Sequence, residues 1–305
     1  MTHTSDGTRR GGRDGQRVLW PVGWIVALLV VAAAFAGIYW LFVLTPTGQQ
    51  VDDDALRGAN VFLAARDEAR LPALALLGEL PRVSAVLGAI ALVTAAIVHR
   101  SVTAPLITLL GTGGALLTTQ LLKHELLARP DMGISEATVN SFPSGHTTLA
   151  AASMFAVYAV VTPRWRPLVA LLGGLFAAVA GMATLVLGWH RPADIVGAYL
   201  VTGVWALLTG WCLSVAAPRW NRWHPRPFWA ASRIWSVLLW VPGLLAVGSS
   251  AGLLVFLPST DGGDDPQQLL GFLLGGVLAI GSAALLSFGL TNAVYMLQSR
   301  IRPRH

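Results

Sequence analysis

The sequence predicts an all-α polytopic membrane bundle of about eight transmembrane helices, and three observations carry that prediction. Of 305 residues, 54% are hydrophobic and only 12% charged, about half the charged share of a soluble domain. Uncharged runs recur that reach the roughly 20 residues a helix needs to cross a hydrocarbon core of about 30 Å. Basic residues collect in alternate connecting segments, the pattern of an oriented membrane protein.

Taken in order, the first span runs from Val18 to Val43. Its forerunner RRGGRDGQR has the polarity of a signal peptide, but the apolar run is too long for a cleaved segment and no small-residue cleavage site follows it. Leu74 to Val98 makes the second span despite Glu79 and Arg82 near its start, and Ser101 to Leu122 the third. Thr147 to Thr162 is short but continues an uncharged stretch broken only by His146. Pro167 to Trp189, Ile195 to Pro218, Ile234 to Thr260 and Pro266 to Ser299 complete the set. The organisation expected is a cytoplasmic arm at 1–17, a transmembrane core at 18–217, a cytoplasmic interfacial linker at 218–233, and two additional transmembrane helices with a short tail at 234–305.

With the N-terminus inside, the inner segments hold 14 of the 21 basic residues and the opposite side 13 of the 15 acidic ones. That bias predicts an N-in, C-in protein. The net charge of +6 is then an inner-face anchor for membrane lipids, concentrated in segments such as PRWNRWHPRPFW. No run has the form of a nucleic-acid module. Cys212 is the only cysteine, which excludes intrachain disulfides and multi-thiolate zinc sites. The glycine-rich pieces GTGGA and LLGGLFAAVAG lie inside apolar spans, where they read as close helix contacts and not as phosphate loops.

Three short pieces, far apart in the chain, emerge at span ends on the outer side. KHELLARP brings Lys123, the only lysine, together with His124 and Arg129. An ammonium and a forked guanidinium suit a tetrahedral oxyanion, although two cations at headgroup depth also snorkel. PSGH places Ser144 as a helix N-cap with Gly145 and His146 in the first turn. Free N–H groups there bind anions and His146 can hand a proton to a leaving oxygen; a plain cap and an interfacial histidine are the simpler reading. HRPAD sets Pro192 at a first helical position, Asp194 in the first turn and His190 just outside. Asp194 can reach back to one ring nitrogen of His190 and leave the other to attack; a mere helix start is the simpler reading.

Together the pieces match the motifs of a known family. The chain resembles the type 2 phosphatidic acid phosphatase superfamily, membrane lipid phosphate phosphatases that share a helical core with vanadium haloperoxidases. The motif P-S-G-H is complete in Pro143, Ser144, Gly145 and His146. K-x6-R-P is matched by Arg129 and Pro130, with Lys123 standing one residue closer. S-R-x5-H-x3-D is matched by His190 and Asp194, with Ala183 and Thr184 at the Ser and Arg positions. The resemblance runs from about 85 to 215, implies a six-helix phosphatase-like core within 18–217, and leaves the last two spans unexplained.

The resemblance implies His190 as a nucleophile that forms a phosphohistidine, Asp194 as its orienting partner and His146 as the acid for the leaving oxygen. Lys123, Arg129, Ser144 and Gly145 are implied to hold the phosphoryl oxygens, with no metal or other cofactor. Thr184 lacks the family's cationic arm, so Arg191 and His124 stand as candidate auxiliaries. The implied partner is a phosphomonoester or diphosphate of a lipid at the extracytoplasmic face of a bacterial plasma membrane, a polyprenyl diphosphate or other polyprenyl carrier phosphate first, then phosphatidic acid or phosphatidylglycerol phosphate. A phosphotransferase or a non-catalytic lipid-phosphate binder or transporter is the alternative on this scaffold, and Thr184 is the argument for the last. The loop VDDDALRGANVFLAARDEAR is expected to form a partly amphipathic lid.

Overall fold

The computed structural model describes residues 8–62, 71–134, 140–217, 220, 228–256 and 265–301. Among them lie helices α1 (Thr8–Val43), α2 (Pro46–Phe62), α3 (Leu71–His99), α4 (Thr103–Leu121), α5 (Gly145–Val160), α6 (Arg166–Val186), α7 (Pro192–Ala216), α8 (Arg233–Phe256) and α9 (Pro266–Ile301). Seven of these, all but α2 and α5, contain stretches long and apolar enough to cross a membrane. No strand occurs among the described residues, so the polytopic all-α bundle expected from the sequence is what forms.

The eighth expected span is α5, whose 16 residues rise only about 24 Å. Both ends are set locally. Ser144 caps the start, and at the other end Thr162 precedes Pro163, which disfavours a helical residue there. At its first helix the structure also departs from expectation: α1 begins at Thr8, so helix extends into the arm expected at 1–17. Residues 1–7 lie outside the described set, as do 218–219 and 221–227 of the expected linker.

The short helix is the axis of the bundle. Twelve of the residues of α5 are buried, and α3, α4, α6 and α7 pack around it. Helices α1, α3, α4 and α8 turn Leu29, Ile97, Leu110 and Leu245 outward, a surface that suits hydrocarbon and not water. The LLGGLFAAVAG piece makes the close contacts expected of it. A Cβ on Gly173 would lie 2.7 Å from the Phe288 ring of α9, and one on Gly181 2.1 Å from the Tyr199 hydroxyl of α7.

Helix α2 folds back across one end of the bundle, in the segment expected to be a lid. Thr45 starts it, its Oγ1 accepting the Gly48 N–H at 3.1 Å, with Pro46 at the first position. It then lies on α9, where a Cβ on Gly58 would come within 2.5 Å of the Leu269 carbonyl oxygen. At Gly276 of α9, Pro192 of α7 and Ala55 of α2 converge, a Cβ there meeting their atoms at 2.7 and 3.3 Å. The remainder of the expected lid, residues 63–70, lies outside the described residues.

Gly58→Val tests this seat, because a branched side chain must push α2 away from backbone that cannot yield. Overpacking of this kind costs about 1–3 kcal/mol. Thermal unfolding in detergent is expected to show a lowered Tm with unchanged helix content by circular dichroism; an unshifted Tm would mean that α2 does not rest on α9.

Candidate active site

Each connection that carries a candidate residue opens at the same end of the bundle, the end that α2 covers. Ser144 Oγ accepts the Thr147 N–H at 3.3 Å, the N-cap bond of α5. The Ser144 N–H in turn donates to the Asp194 carbonyl at 2.9 Å. Across the crevice α6 ends at Gly188, whose φ of +73° is the left-handed conformation glycine allows. That turn folds the Trp189 and His190 N–H groups back onto the Thr184 carbonyl at 2.9 and 3.3 Å. His190 therefore emerges directly at the start of α7, where Asp194 accepts the Arg191 N–H at 3.2 Å as a first-turn carboxylate.

His190 Nδ1 stands 3.4 Å from Asp194 Oδ2, both residues buried. With Nδ1 so engaged, Nε2 is the nitrogen with a lone pair to offer. The His146 ring centre lies 6.1 Å from that of His190 and 4.9 Å from that of Trp189. Two imidazoles at that spacing can address opposite sides of one tetrahedral group. Arg129 closes the floor, with Nη1 3.5 Å from Asp194 Oδ1 and Nη2 3.5 Å from Asp52 Oδ2. Its buried Nε has no acceptor among the described residues.

The P-S-G-H cap, the His190–Asp194 pair and Arg129 thus meet at one place, in the order their motifs require. Residues 104–218 match the PAP2 superfamily. The PAP2 segment spans α4 to α7 and contains every site residue expected from the sequence. The crystal structure of a transmembrane PAP2-type phosphatidylglycerolphosphate phosphatase from Bacillus subtilis is similar at 20% identity and a TM-score of 0.48, over 64% of this chain and 97% of that one. No curated protein matches the chain.

The remaining expected residues divide. Lys123 lies in a π-helical turn, Leu122–Leu126, that follows α4. Asn140 closes that turn by donating Nδ2 to the Lys123 and Leu127 carbonyls at 3.2 and 3.0 Å. A π turn rotates less per residue than an α turn, so it changes where a lysine set one residue early points. Its charge is one of those that hold the His146 imidazole below its ordinary value. His124 is exposed in the same turn, and no contact described brings it to the histidine pair.

The two other auxiliaries are spent elsewhere. The Thr184 hydroxyl is buried and donates to the Gly181 carbonyl at 2.8 Å, so what Thr184 gives the site is its own carbonyl, the anchor of the His190 turn. Arg191 pairs with Asp53 of α2 through Nε at 3.1 Å and Nη2 at 2.9 Å.

The PAP2 segment does not hold the whole site, and sequence reasoning missed what α2 adds. Asp52 is buried, and its Oδ1 accepts the Ala193 N–H, at the start of α7, at 2.8 Å. Burial first, and then the neighbouring Asp194, push the Asp52 carboxyl up to about 7, against the pull of Arg129 and Arg191. The signal was three consecutive aspartates beside a site expected to be cationic. On the open side, His146 is held below its ordinary value by partial burial, then by repulsion from His190, Lys123 and Arg82.

Asp52→Asn keeps an acceptor for the Ala193 N–H and removes the costly charge. Because the folded protein binds this proton more tightly than an unfolded chain, whose carboxyl titrates near 4, the cost grows as pH rises from about 4 to about 7. The variant is expected to melt above wild type at pH 8 and level with it near pH 4. A Tm difference that does not change with pH would overturn the raised carboxyl.

Proposed function

We propose that the protein is an integral-membrane lipid phosphatase that works at the extracytoplasmic face through a phosphohistidine intermediate. One observation carries this reading: His146 and His190 face each other at 6.1 Å between ring centres, with Asp194 against Nδ1 of His190 alone. Binding a phosphate requires cations and helix N–H groups. It does not require a second, proton-bearing imidazole opposite the first.

In the proposed reaction the lone pair of His190 Nε2 attacks phosphorus, and the bond between phosphorus and the leaving oxygen breaks in line. Its electron pair stays with that oxygen, which takes the proton of His146. Asp194 stabilises the imidazolium formed on attack, as an orienting carboxylate does. Arg129, Lys123 and the first-turn N–H groups of α5 at Gly145, which Ser144 presents, hold the oxygens as negative charge shifts among them. Neutral His146 then accepts a proton from water as its oxygen attacks phosphorus. The P–N bond breaks, inorganic phosphate leaves and both histidines are restored. These groups act without a metal.

The concentration of basic residues in the segments at the other end of the bundle supports an extracytoplasmic site. A site at a bundle end, among helices with apolar exteriors, favours a substrate whose tail stays in the bilayer. Polyprenyl carrier phosphates rank first, ahead of phosphatidic acid and phosphatidylglycerol phosphate.

The test is phosphate release by the purified protein from a panel of lipid phosphates in detergent with EDTA, beside His190→Ala. Loss of the nucleophile is expected to lower kcat by at least about 1,000-fold. Equal release by the two proteins overturns the mechanism, loss of activity in EDTA overturns its independence of metal, and a phosphorylated lipid or sugar product in place of phosphate identifies a transferase. Because attack needs His146 protonated and its acidity is raised, kcat/KM is expected to fall as pH climbs through a value below 6.5. That limb should vanish in His146→Ala; if it survives, another group is the acid.

A further inference from the structure

Arg129 stands where no helix holds it. The π-helical turn ends at Leu126 and residues 127–132 are irregular, yet the Arg129 side chain is only 5% exposed, between Asp52 and Asp194. Ion pairs orient a guanidinium at the end of a long side chain, but they leave open where the backbone beneath it lies. That backbone is gripped on both sides of Arg129 by residues from outside the PAP2 segment. The Tyr39 hydroxyl of α1 donates to the Ala128 carbonyl at 2.7 Å. Gln49 of α2 donates through Nε2 to the Pro130 carbonyl at 3.0 Å and to the carbonyl of Val43, where α1 ends, at 2.8 Å.

Both grips are themselves anchored in the site. The Tyr39 ring lies 5.6 Å from the ring of Phe142, the residue before Pro143 of P-S-G-H. Phe142 is fully buried against α7, where a Cβ on Gly197 would come within 2.5 Å of it. Gln49 is buried, and one turn further along the same face of α2 Asp52 meets Arg129 and the Ala193 N–H. Two carbonyls fixed on either side of one residue fix the two planar peptide units that meet near its Cα. A carbonyl in a surface loop is satisfied as well by water, so the loop has no need of its own for two bonds that cross 89 and 81 positions of sequence.

We propose that Tyr39 and Gln49 are positioning residues for Arg129, a backbone clamp from α1 and α2 that sets where its guanidinium meets the phosphoryl group. This rests on the reading above, in which Arg129 holds phosphoryl oxygens. Neither clamp residue touches substrate; each acts through the loop alone. A displacement of about 1 Å at a group that orients substrate can cost about 100-fold, and a loop without helix or strand gives way by that much once its bonds are cut. The clamp leaves His190, Asp194 and His146 where they are. Its loss therefore weakens the hold on phosphate and spares the chemical step, so the effect falls on KM.

The experiment measures phosphate release from a prenyl phosphate and from phosphatidic acid in detergent, and binding of inorganic phosphate by titration calorimetry. Tyr39→Phe keeps the ring against Phe142 and removes the hydroxyl alone; Gln49→Leu keeps the bulk and removes the donor. Each is expected to raise KM, and Kd for inorganic phosphate, about 10-fold with kcat within about threefold. Made in Arg129→Ala, or in Arg129→Lys, which retains the charge between the two carboxylates, either should add less than about threefold to the Kd for phosphate, because its effect passes through Arg129. Equal penalties with and without Arg129, a fall in kcat at unchanged KM, which is the mark of lost folded protein, or no change at all overturns the clamp. A wild type that binds phosphate in this pattern and releases none from either lipid overturns the phosphatase reading and leaves the clamp standing. A wild type that binds no phosphate overturns both.

Discussion

Asp194 is fully buried, yet it touches each of the three motif pieces of the site. Its carboxylate meets His190 Nδ1, the Arg191 N–H and Arg129, and its carbonyl receives the N–H of Ser144. Moving an isolated carboxylate out of water costs several kcal/mol, so this residue is tolerated only while those donors surround it. The same donors are the parts a phosphoryl-transfer site needs. Stability of the carboxylate and geometry of the site are therefore one condition, and the cap of α5 and the start of α7 cannot shift independently.

Beyond this hub, α2 makes a second tier. Asp52 and Asp53 reach in from the bundle end to hold the α7 start and Arg191, and α9 supports α2 through Gly58 and Gly276. The last helix, α9, thus has a task that the PAP2 segment by itself does not reveal. It forms the bed of a helix whose carboxylates meet Arg129 and Arg191.

What could be read from the sequence was local. The Ser144 cap, the Pro192 start and the reach of Asp194 to His190 lie within four residues of their partners, so spacing alone exposes them. Apolar runs exposed the spans for the same reason. The misjudged residues depend on distant partners. Arg191 looked available because Asp53 lies 138 positions away, and Asp52 looked like loop charge because Ala193 lies 141 away. Thr184 was weighed for its side chain when its carbonyl is what matters.

The seat of α2 on α9 also has a bearing on biogenesis. Membrane chains insert from the N-terminus, and α2 emerges long before the C-terminal helix on which it rests. Until α9 enters, the Asp52 contact with Ala193 lacks the support α2 finds on α9, and Arg129 and Arg191 lack a firm seat for the counter-charges that α2 brings. A nascent chain therefore carries the start of α7 without the carboxylate that accepts its Ala193 N–H firmly seated until its last helix is in place.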